Sequence, residues 1–176
     1  MKVIKTKLPG VIIIEPKIFG DDRGFFFENF RSNQFSELGI DKPFVQDNVS
    51  RSARDVLRGL HHQTKHTQGK LVWVTRGKIF DAVVDIRKDS PTFGQWISSV
   101  LDDQDHRLIY VPPGLAHGFC VLSETADFSY KCTDYYDPAS EITIAWNDPD
   151  IGINWPVKNP IISDKDSQGK RLKDIP

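Results

Sequence analysis

The hydrophobic residues of this chain fall in short runs separated by turn residues, a pattern typical of β-strands. Residues 11–15 form a β-branched run closed by Pro16, and residues 79–86 alternate with a period of two. Turn signals recur about every 8–12 residues, the spacing of an antiparallel sandwich or barrel rather than of alternating strand–helix units. The pattern therefore predicts an all-β architecture.

Two strand runs in the centre of the chain give a more detailed expectation. Residues 71–75 and 79–86 flank the turn Arg76-Gly77-Lys78, which predicts a β-hairpin. In the second run Asp81 and Asp85 fall on the side opposite to most of the apolar residues. The alternation therefore predicts a strand with one face toward water.

Helical signals are confined to one short segment. Ser32 is a predicted N-cap, Phe35 and Leu38 lie three residues apart on one face, and Gly39 ends the turn. The polar tail from Pro160 onward is expected to wrap the surface. We expect a few short peripheral helices at most.

Length and charge narrow the class of protein. A chain of 176 residues favours one compact domain, over residues 1–176, with a sizeable core. Its 23 basic and 24 acidic residues leave a net charge of −1, which argues against a surface built for nucleic acid or for an anionic membrane.

Neither a membrane span nor a secretory signal is expected from the hydropathy pattern. No window approaches 18 consecutive apolar residues, and the opening residues lack a signal-peptide core. The only cysteines, Cys120 and Cys132, form no CxxC motif. A reducing, cytoplasmic location is therefore predicted.

Candidate chemistry concentrates around a cluster of histidines. His61, His62 and His66 lie within six residues, and His117 follows later. Histidine titrates near neutrality and suits acid–base or metal chemistry, although a single histidine is more often structural. Adjacent strand residues face opposite ways, so one of His61 and His62 should point inward, and the pattern alone does not choose between them.

Other polar residues stand among predicted strands. Tyr130 shares a face with Phe128 and Cys132, so its phenol is predicted to point into the interior, either as a core tyrosine or as a proton donor. Arg58 and Lys70 are embedded in predicted strands, where convergent cations could bind phosphate.

These residues belong to a set of segments that resembles the dTDP-4-dehydrorhamnose 3,5-epimerases of the cupin superfamily. The set includes Arg58-Gly59-Leu60-His61, Tyr130-Lys131-Cys132-Thr133 and Ser163-Asp164-Lys165-Asp166. The matching segments follow the family order over nearly the whole chain, at residues 22–28, 44–50, 57–61, 68–72, 81–87, 90–94, 116–119, 130–136, 146–149 and 162–166. The resemblance implies a cupin-type antiparallel jelly-roll barrel.

The resemblance also implies a reaction and a set of residue roles. The family inverts C3 and C5 of a dTDP-linked 4-keto-6-deoxyglucose through an enolate, without metal or organic cofactor. His61 would be the base, Tyr130 the acid, Asp166 the partner of His61, and Lys70 the cation beside the enolate. Substrate binding would fall to His117 and to the nucleotide-site residues Arg23, Glu28, Gln46, Asp47, Asn48, Arg58, Tyr136, Glu141 and Lys165.

A homodimer is expected as well, since members of the family pair through exchanged N-terminal strands. The run Phe25-Phe26-Phe27 offers apolar side chains to both faces of one strand, which a single domain buries less easily than a dimer does. The alternative is a central strand buried within one subunit.

Three other functions stay open at this point. His62 stands where the family usually has Tyr or Phe, which leaves room for a one-centre epimerase on a related keto sugar. A metal-dependent cupin could use His61, His66 and His117, but the HxH pair and the glutamate are missing. A non-catalytic nucleotide-sugar binding module would not need a paired acid and base.

Overall fold

The computed structural model describes residues 1–175 and consists mainly of antiparallel β-strands; Pro176, where the predicted domain ends, lies outside the described residues. The strands are β1 (Lys2–Lys5), β2 (Ile12–Glu15), β3 (Phe19–Asp21), β4 (Gly24–Phe26), β5 (Gln46–Ala53), β6 (Leu57–Gln63), β7 (Lys70–Arg76), β8 (Lys78–Asp85), β9 (Trp96–Asp102), β10 (Leu108–Val111), β11 (Leu115–Val121), β12 (Thr125–Cys132) and β13 (Glu141–Thr143). The helices are α1 (Ser32–Ser36), α2 (Asp164–Ser167) and a 3₁₀ turn (Leu172–Asp174).

The strands form two main sheets and one small hairpin. One sheet has six strands in the order β1-β2-β10-β7-β12-β5, and the other has five in the order β13-β6-β11-β8-β9. Strands β3 and β4 pair with each other and form a separate two-stranded sheet. The all-β prediction is confirmed. No helix within residues 1–175 has the length and apolarity needed to cross a membrane.

The main core lies between the two large sheets. Val72 and Phe128 of the six-stranded sheet belong to the same buried cluster as Val83, Leu115 and Phe119 of the five-stranded sheet. A second cluster covers the other side of the five-stranded sheet with residues of the C-terminal segment, namely Ile151, Leu172 and Ile175. The tail is therefore packed into the fold as well as lying along its surface.

The predicted hairpin between β7 and β8 is wrong. Strand β7 pairs with β10 and β12, whereas β8 pairs with β9 and β11 in the other sheet. Gly77 makes the crossing, with a φ of +82° and so little space that a Cβ atom would lie 2.1 Å from the Thr125 carbonyl oxygen. A short glycine turn serves a hairpin and a corner between sheets equally well, so the local signal could not separate them.

The predicted wet face of β8 is also wrong. Asp81 and Asp85 are both fully buried, and Ile79 and Val83 on the same side belong to the core between the sheets. The polar residues are accommodated by partners rather than by water: His117 binds Asp81, and Arg87 binds Asp85. Alternation identified the two faces correctly but not the environment of each.

The helical segment is shorter than predicted and is capped differently. Helix α1 ends at Ser36, and its N-cap residue is Arg31 rather than Ser32, with no capping hydrogen bond from the Arg31 side chain. Phe35 is buried beside Ile40, so packing rather than capping stabilises this single turn.

Candidate active site

A cavity of about 380 Å³ opens between the two large sheets and holds most of the predicted site residues. The predicted residues that line it are Gln46, Asn48, Arg58, His61, Lys70, His117, Tyr130, Tyr136, Glu141 and Lys165. The others that line it are Ser50, His62, Gln63, Gln68, Gly118, Phe119 and Phe128. The cavity walls therefore combine polar and charged side chains with aromatic ones.

Two glycines allow the strands that carry the histidines to approach each other closely. A Cβ atom at Gly59 would lie 2.6 Å from the Gly118 Cα, and one at Gly118 would lie 2.7 Å from the Arg58 carbonyl oxygen. Strands β6 and β11 pair with His61 opposite His117. Larger residues at either glycine would clash with the backbone of the facing strand and disturb this pairing.

His61 is held by a carboxylate from the far end of the chain. Its Nε2 lies 2.6 Å from Asp166 Oδ1, and the Ser163 hydroxyl accepts a bond from the Asp166 backbone N–H. Burial raises the pKa of Asp166, but hydrogen bonds from His61 and Ser163 outweigh this effect and keep it below its usual value. An ionised carboxylate only accepts hydrogen bonds, so in the neutral imidazole the hydrogen sits on Nε2 and the lone pair on Nδ1.

Tyr130 belongs to the sheet that faces His61. It lies on β12 beside buried Phe128 and Cys132, as the alternation predicted, and its ring centroid is 5.4 Å from that of Phe128. Burial raises the pKa of Tyr130 to about 12. The phenol therefore stays protonated at neutral pH and can donate.

Lys70 is the cation placed next to Tyr130. Strand β7 pairs Lys70 with Cys132 on β12, and its Nζ lies 6.0 Å from the Tyr130 ring centroid. Burial lowers the pKa of Lys70. A poorly hydrated ammonium interacts strongly with any negative charge that develops in the cavity.

His117 forms a second, deeper histidine–aspartate pair. Its Nε2 lies 2.8 Å from Asp81 Oδ2, and its ring stacks at 6.0 Å from that of Phe128. Both His117 and Asp81 are buried. This pair explains why β8 carries a carboxylate toward the core, which the sequence pattern could not reveal.

The outer end of the cavity contains a hydrogen-bonded group around Glu141. Its Oε2 accepts bonds from the Tyr136 hydroxyl at 2.8 Å and from Lys165 Nζ at 2.9 Å. Burial raises the pKa of Glu141, but the hydrogen bonds from Lys165 and Tyr136 and the neighbouring His61 outweigh this effect and keep the pKa below its usual value. Gln46 supports the group by accepting a bond from the Tyr136 backbone N–H.

Three predicted site residues lie away from this cavity. Arg23 binds Asp21 on the exposed β3–β4 turn, Glu28 binds Arg31, and Asp47 binds Lys131 at 2.8 Å. Arg23 and Glu28 are exposed. Within one chain the structure therefore does not bring these residues to the cavity.

The remaining histidines have separate surroundings. His62 also lines the cavity, with Nδ1 3.3 Å from the Leu115 carbonyl oxygen, and burial lowers its pKa. The expected inward and outward division of His61 and His62 is thus not strict, and a register shift in β11 interrupts the regular pairing here. His66 lies 3.7 Å from Asp134.

The arrangement of possible ligands does not fit the metal-dependent alternative. Within residues 1–175, no three His, Cys, Asp or Glu side chains are grouped as a metal site. The three histidines that this alternative requires are each turned toward a different carboxylate: His61 toward Asp166, and His66 and His117 as described above.

The chain matches one family of known proteins over nearly its whole length. A family model described as dTDP-4-dehydrorhamnose 3,5-epimerase matches residues 5–174. Among curated proteins, the chain is similar to the dTDP-4-dehydrorhamnose 3,5-epimerase of Salmonella typhimurium, with 54% identity over 175 residues, 98% of this chain and 96% of that protein. It is also similar to that of Pseudomonas aeruginosa, with 52% identity over 176 residues, 99% of this chain and 97% of that protein.

Among solved structures, the chain is similar to a dTDP-6-deoxy-D-glucose-3,5-epimerase from Legionella pneumophila in complex with dTDP-4-keto-L-rhamnose. The TM-score is 0.97 with 52% identity, covering 99% of this chain and 94% of that chain. Together with the two facing antiparallel sheets, this likeness confirms the predicted cupin-type jelly roll.

Proposed function

The chain belongs to the dTDP-4-dehydrorhamnose 3,5-epimerase family, and from that premise we propose which of its residues perform the reaction. The protein is an isomerase of dTDP-rhamnose synthesis that inverts C3 and C5 of dTDP-4-dehydro-6-deoxyglucose. It is an enzyme, so the binding-only alternative is set aside. The observation that carries the assignment is that the His61–Asp166 pair and Tyr130 belong to opposite walls of one cavity.

His61 Nδ1 takes the proton from the carbon next to the keto group. The C–H electron pair moves toward the C4 oxygen and gives an enolate, while His61 becomes an imidazolium. Asp166 holds the opposite nitrogen at 2.6 Å, so it fixes the tautomer and stabilises the positive charge. A positioned base of this kind contributes about 10²–10⁴-fold to a rate.

Lys70 and Tyr130 complete the step on the other side of the sugar. The Lys70 ammonium offsets the charge on the C4 oxygen. The Tyr130 O–H then donates its proton to carbon from the face opposite to His61, which inverts the centre and leaves a phenolate. Proton exchange with solvent restores Tyr130 and His61, and the same cycle serves the second carbon.

The dTDP portion is proposed to occupy the outer end of the cavity. Arg58 and Lys165 supply cations there, and Tyr136 offers an aromatic face beside Gln46 and Asn48. Guanidinium and ammonium groups bind a diphosphate through charge-assisted hydrogen bonds. The part of the cavity lined by Phe119 and Phe128 is left for the 6-deoxy sugar.

Epimerisation in deuterated buffer tests this function. With dTDP-4-dehydro-6-deoxyglucose as substrate and EDTA present throughout, we expect a dTDP-4-dehydrorhamnose product carrying deuterium at C3 and C5, observed by NMR. The reason is that the base, acid and oxyanion cation are all side chains of the protein. Activity lost on chelation and restored by one metal ion would contradict the cofactor-free mechanism. Deuterium at a single carbon would favour the one-centre alternative.

We also propose that the functional unit is a homodimer. The β3–β4 hairpin exposes Phe19, Phe25 and Phe26, with 52%, 61% and 68% of each residue accessible. This rules out the expectation of a central strand buried within one subunit. Exposed aromatic side chains of this size are typical of an interface. In the dimer, Arg23 and Glu28 of one subunit would reach the cavity of the other.

Mixing two inactive variants tests this shared site. Arg23→Ala lacks the borrowed cation and His61→Ala lacks the base. After subunit exchange we expect about a quarter of wild-type activity, because half of the dimers are mixed and each holds one complete site. Sedimentation at micromolar protein checks the dimer itself. A monomer, or no regain of activity after verified exchange, would contradict the proposal.

We propose a cytoplasmic location, which the two buried and free cysteines, Cys120 and Cys132, support. Thiols that stay reduced are typical of a reducing compartment.

A further inference from the structure

Glu141 contacts both the catalytic base and the outer, cationic end of the cavity. Its Oε1 lies 3.9 Å from His61 Nδ1, while its Oε2 is bound by Tyr136 and Lys165. The carboxylate reaches this position because β13 pairs with β6, with Glu141 opposite Gln63 and Thr143 opposite His61. One side chain therefore links two parts of the site that otherwise belong to different steps.

The distance of 3.9 Å between Glu141 Oε1 and His61 Nδ1 determines how the two groups interact. It is too long for a hydrogen bond, so Glu141 does not occupy the nitrogen that must receive the substrate proton. It is short enough for an opposite charge to favour the protonated form of an imidazole. Because Tyr136 and Lys165 both bind Oε2, they hold Glu141 back from Nδ1.

We propose that Glu141 is a positioning residue that sets the basicity of His61 through its charge, and that Lys165 moderates this effect until a diphosphate draws it away. The inference rests on the proposed function, in which His61 is the base and Lys165 binds the diphosphate. In the free enzyme the Lys165 ammonium partly offsets the negative charge of Glu141, so only part of that charge acts on His61. When a nucleotide is bound, its diphosphate draws Lys165 away from Glu141. The full charge of Glu141 then acts on His61, which becomes a stronger base.

This arrangement makes a remote part of the substrate contribute to the chemical step. The nucleotide does not react, yet its binding would strengthen the group that does, which is how binding energy far from the reacting atoms raises kcat. A sugar without the diphosphate would meet a weaker base. The enzyme would thereby avoid enolising small keto compounds that enter the cavity.

Charged and titratable groups approach His61 from every neighbouring element. Asp166 and Lys165 come from α2, Glu141 from β13, His117 from β11 and Arg58 from β6 itself, while Lys70 and Tyr130 face it from the other sheet. Of these, Asp166 and Glu141 are the carboxylates within 4 Å of the ring. Asp166 orients the ring, so Glu141 is the group whose charge can be removed without freeing the imidazole.

The test follows the pKa of His61 directly by NMR of ring-labelled histidine, with His61→Asn used to assign the signal. We expect Glu141→Gln to lower the pKa of His61 by about one unit and Lys165→Met to raise it. The exposed Glu124 provides a matched control: Glu124→Gln removes the same charge and should change nothing. The acid limb of kcat/KM should move to lower pH in Glu141→Gln and to higher pH in Lys165→Met.

Addition of dTDP without a sugar tests the role of Lys165. In the wild type dTDP should raise the pKa of His61, and the rise should be smaller in Lys165→Met, which has no ammonium left to displace. Equal rises in the two proteins would overturn the part played by Lys165.

An unchanged or raised His61 pKa in a folded Glu141→Gln protein would overturn the whole proposal. If that variant does not fold, Lys165→Met decides, since its side chain is half exposed and its effect must have the opposite sign. The pKa measurements need no turnover. A wild type that fails to epimerise would therefore contradict the proposed function while leaving this electrostatic link to be judged separately.

Discussion

His61→Asn is expected to abolish proton exchange at both C3 and C5 while leaving dTDP binding close to that of the wild type. Asparagine keeps a polar side chain in the cavity, but it is shorter than histidine and has no lone pair basic enough to accept a proton from carbon. The loss should be at least about 10²–10⁴-fold, the usual contribution of a general base, and it should be larger if one base serves both carbons. Deuterium incorporation measured by NMR and dTDP titration by calorimetry provide the two readings.

His62→Tyr is the matched control for this result. His62 is adjacent in sequence and also lines the cavity, but its Nδ1 lies near the Leu115 carbonyl and burial lowers its pKa. Within residues 1–175 it also has no carboxylate partner like Asp166. Replacing it should change the rate only mildly. Loss of exchange in His62→Tyr together with an active His61→Asn enzyme would reverse the assignment of the base.

The second large effect should separate formation of the enolate from its reprotonation. Lys70→Met keeps the aliphatic stem and removes the charge, so exchange at C3 and C5 should fall by about 10²–10³-fold, as for the loss of one group that stabilises an oxyanion. Tyr130→Phe removes only the hydroxyl. Exchange should survive in Tyr130→Phe, while net inversion falls, because the proton can return only from the face of His61.

These two variants can be compared in a single NMR experiment that records deuterium incorporation and product configuration together. The ratio of exchange to inversion should rise in Tyr130→Phe and stay near the wild-type value in Lys70→Met. Equal losses of exchange and inversion in Tyr130→Phe would contradict a separate acid, and full exchange in Lys70→Met would contradict its role beside the enolate. Circular dichroism would confirm that both proteins remain folded.

The periodicity of apolar residues predicted the strands because it depends only on residues close in sequence. It could not predict how the strands are arranged in sheets. The hairpin prediction for β7 and β8 was wrong because the chain direction at Gly77 depends on the close backbone of Thr125, which belongs to another strand. Asp81 and Asp85 were assigned to water because their partners, His117 and Arg87, could not be inferred from alternation. In both cases a tertiary contact decided the outcome.

The site was predictable to the extent that residue types matched a known family in order. Tyr130 could be assigned to the interior from alternation alone, and the structure confirms its face. The partner of His61 could not be found in this way, because Asp166 lies in a polar tail that looks like a surface segment. The contact between Glu141 and His61 also depends on the pairing of β13 with β6. Such pairing between distant strands cannot be predicted from the hydrophobic pattern of either strand.

The tail that brings Asp166 to His61 also makes the orientation of the base depend on a contact between distant parts of the chain. The two residues are separated by 105 positions, and the tail is attached through bridges of Ile161 to Val56 and of Lys170 to Ile144. Most of the cavity wall comes from the two sheets, so local release of the tail would leave the cavity in place with an imidazole that no carboxylate orients. Activity therefore reports on the docking of the tail as well as on the folding of the sheets.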